Sequence, residues 1–188
     1  MPINRKILPV LLILLCFFII FILINKKASP QKKAQDNLGG LIYYFTKGIE
    51  AAKQGNYPEA KKFYLLALEK SPKDAKVYFS LGYAQEMLGE LVHAQESYQK
   101  AIENDGNNAE LYYNLGNVDV KLLDQEAALK AYLKAVELNP KHVDAWVNLS
   151  IISFRLGHFA DAVKYCDEAI LLGYDAPLEY LNTLKQYR

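Results

Sequence analysis

Cysteine is nearly absent from this sequence, histidine is scarce, and neither sign of charge dominates. The two cysteines, Cys16 and Cys166, fall in unlike surroundings, one in an apolar N-terminal run and one in a helical pattern, so no bridge between them is expected. Two unpaired cysteines leave the redox compartment open. The histidines His93, His142 and His158 never stand at i, i+4, and none joins a Cys–His cluster with metal-ligand spacing, so no metal or other cofactor is expected. Phosphate-binding glycine motifs are missing. A net charge of +1 argues against nucleic-acid binding driven by a broad basic face.

Apolar residues make up 52% of the chain, and the excess sits at one place. Residues 7–24 read ILPVLLILLCFFIIFILI, without a charge. As a helix this run spans about 27 Å, close to the thickness of a bilayer core. It ends in Asn25-Lys26-Lys27 with no small-residue cleavage site, and Cys16 lacks the small residues that precede a lipidated cysteine. The expectation is a tail at 1–6, a single transmembrane anchor at 7–24 that contacts a lipid bilayer, and a flexible spacer at 25–40. Counting flanking basic residues puts the C-terminal part of the chain in the cytoplasm. The short N-terminal tail, in contrast, is that of a signal anchor, which sends that part out. A bacterial inner-membrane protein is expected, with the periplasmic side preferred and the cytoplasmic side the alternative.

From residue 41 the chain repeats every 34 residues, in blocks 41–74, 75–108, 109–142 and 143–176. Position 4 holds Tyr44, Tyr78, Tyr112 and Trp146. Position 8 holds Gly48, Gly82, Gly116 and Ser150, and position 24 holds Tyr64, Tyr98, Tyr132 and Cys166. Alanine fills position 20 (Ala60, Ala94, Ala128, Ala162) and position 27 (Ala67, Ala101, Ala135, Ala169). Small residues at positions 8 and 20 let two antiparallel helices approach closely, with aromatics filling the space beside them. Gly55, Gly89 and Gly157 mark the turn inside each pair, and Pro72 and Pro140 follow the second helix. Between these marks the apolar spacing is i, i+3, i+4, i+7, as in Ala60-Phe63-Tyr64-Ala67.

These columns resemble the tetratricopeptide-repeat (TPR) family over four full repeats. The resemblance implies an all-α chain: after the anchor, an α-solenoid of four helix pairs and a capping helix at 177–188, with Leu178, Leu181 and Leu184 on its apolar side. The departures are Lys47 at a usual Leu, Leu123 at a usual Gly, Gly106 and Tyr174 at the usual Pro, and Cys166 at a usual aromatic. They predict a loosened turn in the third repeat and an atypical fourth. The histidines fall at turn or outer-helix positions, where solvated surface is expected. Carboxylates such as Glu103, Asp124 and Asp161 fall on second helices or turns, so no acid–base pair and no enzyme is expected.

In the family, first helices line a concave groove that binds a protein or peptide partner. Here positions 5 and 9 would supply an apolar, aromatic strip of Phe45, Phe79, Tyr83, Tyr113, Val147 and Ile151, with Ile49 beside it. Asn114, Asn117 and Asn148, with Asn182 in the cap, would meet the backbone of an extended peptide. The alternatives are that some of these side chains pack between repeats, or that the groove is filled by the chain itself or a second copy in a homo-oligomer. The basic residues of the two-carboxylate clamp in chaperone-binding members are missing: Glu110, Asp144, Asn114 and Phe79 stand at those positions.

Overall fold

The computed structural model of the chain describes residues 30–188. All secondary structure among them is helical: α1 (Pro30–Lys53), α2 (Tyr57–Lys70), α3 (Ala75–Met87), α4 (Leu91–Asn104), α5 (Ala109–Lys121), α6 (Gln125–Leu138), α7 (Val143–Arg155), α8 (Phe159–Leu171) and α9 (Leu178–Lys185). Each odd-numbered helix up to α7 packs on the next helix as a pair, and each pair packs on the following pair through its second helix. The result is an α-solenoid of four pairs closed by α9.

The small residues set how closely the helices approach. A Cβ added to Gly48, Gly82 or Gly116 would lie 2.4, 2.9 or 2.6 Å from the ring of Tyr64, Tyr98 or Tyr132 respectively. No side chain fits between backbone and ring at those points. The eight alanines of positions 20 and 27 are fully buried, so both faces of every second helix touch a neighbour without a bulky side chain between. Capping side chains start the helices. Asp74, Asn108, Asp124 and His142 accept from the backbone N–H of Val77, Glu110, Ala127 and Ala145, satisfying donors that have no partner within the helix.

The turn inside the third pair is not loosened. Leu123 takes φ 64°, beside 74°, 74° and 81° for Gly55, Gly89 and Gly157. The closing bond has one length in all four turns: Asn56 N to Ala51 O, Glu90 N to Gln85 O, Asp124 N to Asp119 O and His158 N to Ser153 O are each 2.9 Å. The packed pair holds the turn, and Leu123 accepts a left-handed backbone that an L-residue disfavours.

Three expectations are corrected. First, residues 30–40, read as spacer, are helical: α1 begins at Pro30, a residue the first turn tolerates, and runs unbroken into the first repeat. Second, the single-pass membrane localisation is overturned. Among the described residues no helix is long and apolar enough to cross a membrane. The longest, α1, carries Lys32, Lys33, Asp36, Lys47, Glu50 and Lys53, charges that a bilayer core opposes. The anchor expected at 7–24 lies outside the described residues, as do the tail at 1–6 and the start of the spacer. Third, the apolar side of α9 is only in part the leucine row: Leu181 and Leu184 pack, and Leu178 does not. Leu184 is buried, but Leu178 is 72% exposed, and Tyr180 packs with Leu181 against Ala162 and Cys166.

Candidate interaction groove

The candidate strip divides by position. The position 5 aromatics are packing residues. The rings of Phe45, Phe79 and Tyr113 sit 5.9, 5.9 and 6.0 Å from those of Tyr64, Tyr98 and Tyr132, tilted by 45–51°. Each thus locks the two helices of its own pair. Tyr113 also lies 4.6 Å from the ring of His142. Ile49 is half-buried in the core around Tyr64. Of the candidate strip, the exposed members are Tyr83, 44% exposed with its ring 6.1 Å from Tyr57, and Ile151, 36% exposed. Val147 is half-buried at the mouth of a cleft beside Cys166.

The asparagines divide as well. Asn114 Nδ2 donates to the Glu110 carbonyl (2.7 Å) and carboxylate (3.0 Å) one turn back, so its own helix occupies it. Asn117 and Asn148 meet each other. The Tyr132 hydroxyl donates to Asn117 Oδ1 at 2.7 Å, and Asn148 Nδ2 donates to the same oxygen at 3.1 Å. Asn182 is exposed on α9.

Asn117, Tyr132, Asn148 and Ile151 line one cleft of about 280 Å³ between α5 and α7, together with Lys121 and Arg155. The two cations were not singled out from the sequence, although both occupy position 13 of their repeats, a groove position in the family. Lys121 Nζ pairs with Glu86 Oε1 at 2.7 Å, and the Tyr98 hydroxyl donates to the other oxygen of that carboxylate at 3.0 Å. Arg155 is exposed and has no ion pair among the described residues. Burial raises the pKa of both Tyr98 and Tyr132, so their hydroxyls stay protonated donors.

A second set of polar residues is buried. Position 11 holds Ala51, Gln85, Asp119 and Ser153, all under 10% exposed. Ser97 Oγ donates to Gln85 Oε1, and Gln95 Nε2 donates to Asp119 Oδ1, both at 2.6 Å. Ser153 Oγ has no partner among the described residues. Burial pushes the Asp119 carboxyl above the ordinary 3.8, against the hydrogen bond from Gln95, with a smaller upward push from Asp124. His142 also departs from the solvated reading. It caps α7, leans on Tyr113 and places Nε2 3.5 Å from Glu110 Oε2. Its column held the signal, since position 34 carries the capping residues Asp74 and Asn108 in the two preceding repeats. Among the described residues no cluster of His, Cys, Asp or Glu could hold a metal ion.

The tetratricopeptide repeat family profile matches residues 45–109 and 113–177, more than half of the chain. The chain belongs to that family. No curated protein sequence matches it. Among solved structures, this TPR chain is similar to MamA, at 25% identity, covering 71% of this chain and 73% of that one with a TM-score of 0.68. It is similar to PilF of Pseudomonas aeruginosa, at 26% identity over 76% and 65% of the two chains, TM-score 0.65. The first TPR domain of Spaghetti, solved with an HSP90 peptide, matches at 24% identity over 63% and 94%, TM-score 0.61. That last likeness is one of fold alone.

Proposed function

We propose that this TPR chain is a scaffold for protein–protein interaction that takes an extended segment of a partner along the face of its odd-numbered helices. The observation that carries this reading is the Asn117–Asn148–Tyr132 cluster in the cleft between α5 and α7. Among the described residues Asn117 Nδ2 and Asn148 Oδ1 have no partner. A donor and an acceptor held side by side suit the alternating N–H and C=O groups of a peptide backbone. Tyr83 and Ile151 lie on the same face as exposed apolar contacts, and Lys121 and Arg155 give the cleft a positive rim.

Photo-crosslinking tests the reading. A benzophenone side chain at 83 or 151 should give adducts with a partner protein in cells. The same group at Leu65 or Leu133, exposed on the even-numbered helices, should not. Equal adducts from both faces, or none from 83 and 151, would remove the groove as the site.

A second reading, self-assembly, has one observation in its favour. Both ends of the stack expose apolar side chains: Leu38 and Ile42 at one end (55% and 57%), Leu171 and Leu178 at the other (79% and 72%). Solenoid ends ordinarily carry a polar outer face. Sedimentation equilibrium across a wide concentration range separates the two readings, because a strict monomer eliminates end-to-end stacking.

A further inference from the structure

Cys166 is smaller than the ring that the first three pairs hold at position 24, and a cleft lies beside it. In those pairs the position 24 tyrosine lies between a position 5 side chain and the position 8 glycine. In the fourth pair the same wall positions are Val147, Ser150, Ile151, Cys166 and Ala169, and they line a cleft of about 230 Å³ together with Tyr174, Pro177 and Tyr180. Its polar groups are already engaged. Ser150 Oγ donates to the Ala162 carbonyl at 2.7 Å and shares a 2.8 Å bond with the Tyr180 hydroxyl. Burial raises the Cys166 thiol pKa, with Asp167 adding to it, so the sulfur stays neutral.

The internal copies also show what the cleft lacks. The tyrosine hydroxyls bond to Glu86 at position 12 in the second repeat and to Asn117 at position 9 in the third. In the fourth repeat those positions hold Phe154 and Ile151. A phenol would find neither of those partners there, whereas a benzyl group needs none. Ile151 also lines the neighbouring cleft with Lys121 and Arg155. One ligand can therefore reach both, and Arg155 has no carboxylate partner among the described residues.

Resting on the groove reading, we propose that the C-terminal end of the groove is a specificity pocket for a phenylalanine side chain on an acidic, extended partner segment. The ring enters the cleft against Val147, Ile151 and Tyr180, beside the place that a tyrosine fills in the other three pairs. A neighbouring carboxylate of the segment pairs with Arg155.

The full chain is titrated by fluorescence anisotropy with short Gly/Ser peptides that carry a pair of glutamates and one phenylalanine at varied spacing. Matched peptides have alanine for phenylalanine, or lysine for glutamate. The best phenylalanine peptide should bind at least about tenfold more tightly than its alanine partner, and Arg155→Glu should weaken it. The deciding variant is Ser150→Gly/Cys166→Phe, which rebuilds the glycine–ring pair of the other repeats without a hydroxyl to bury. It should melt no lower than the parent and bind the phenylalanine peptide about tenfold more weakly, with the alanine peptide unchanged. If it melts lower, Val147→Phe closes the cleft from the other wall with the residue type that position 5 carries in the first two pairs, and the same loss is expected. Full affinity in a folded, filled-cleft variant overturns the proposal. So does equal binding of the phenylalanine and alanine peptides, or failure of every phenylalanine peptide to bind. Crosslinks from 83 and 151 that survive such a result leave the groove reading standing without its ring pocket, and their loss removes the groove itself.

Discussion

In the first three helix pairs, a glycine on one helix receives a tyrosine ring from the next. In the fourth, Ser150 and Cys166 occupy those places, and the hydroxyl that meets Ser150 comes from Tyr180 on α9. The first arrangement is self-contained: Gly116, Tyr132 and Tyr113 all belong to one pair. The second divides the job between a pair and the helix that follows it, and leaves a cleft at the junction. The difference shows how a repeat array gains an individual site. The backbone period stays the same while two facing positions change together, and a cleft lies beside them.

The largest test of that comparison imposes the fourth pair's residue on the third. Tyr132→Cys removes a fully buried ring and the hydrogen bond that holds Asn117. It should destabilise the chain by about 3 kcal/mol or more, read as a fall in the midpoint of urea unfolding. Cys166→Ala in the fourth pair, where the ring is already absent, should cost far less. Equal losses would mean that the ring carries no more of the third pair's stability than the thiol does of the fourth's.

A smaller effect is expected at the facing position. Gly116→Ala places a methyl 2.6 Å from the Tyr132 ring, and that ring is fixed between Tyr113 and Asn117. A loss of about 2 kcal/mol is expected in thermal unfolding. Ser150 already carries a Cβ, so Ser150→Ala should lose only its two hydrogen bonds, about 1 kcal/mol. A tolerated Gly116→Ala would show that the third pair can open as the fourth does.

The 34-residue period made most of the fold legible, because alanines and glycines recurring at fixed positions have few uses except close helix packing. The family match and the helix pairs agree with that. The site was legible only in part, for a physical reason. Position 5 and position 24 rings were both visible as columns, but whether they touch each other or face outward depends on their distance across a pair. Phe45, Phe79 and Tyr113 turned out to face their own tyrosines. Asn114 and Asn148 share one repeat position and one residue type, yet the first bonds to Glu110 on its own helix and the second reaches Asn117 on another. The departures at Ser150 and Cys166 were each readable, but their connection needed the geometry. Position 13 was the missed signal: Lys121 and Arg155 stand in a groove column, but as cations they belong to neither the aromatic strip nor the amide row.

Leu123 gives a gentler comparison, between the third turn and the other three. Its side chain is 84% exposed and its φ is 64°, so it contributes little packing and bears the left-handed strain. Leu123→Gly should raise stability by about 0.5–1 kcal/mol, the relief of that strain less the added freedom of the unfolded chain. A lower midpoint in thermal unfolding would show instead that the exposed leucine makes a contact worth more than the strain.

The smallest expected effect lies at position 11, where the repeats place Ala51, Gln85, Asp119 and Ser153 at one buried point. Asp119 is the ionisable member, and its carboxyl titrates above the ordinary 3.8 because burial disfavours the charge. The folded chain therefore binds that proton more tightly than the unfolded chain. Its contribution to stability is fully present below pH 3.8 and is lost as the pH rises through the folded value. At neutral pH the ionised carboxylate weighs against folding, offset in part by the Gln95 hydrogen bond. Asp119→Asn keeps an acceptor for Gln95 without a charge. It should be the more stable chain at neutral pH, and its advantage should shrink as the pH falls toward 3.8 in urea titrations run across that range. An advantage that does not change with pH would assign the gain to packing rather than to the buried charge. Ser153→Ala provides the uncharged control. It removes a hydroxyl that has no partner among the described residues, so any gain should be the same at every pH.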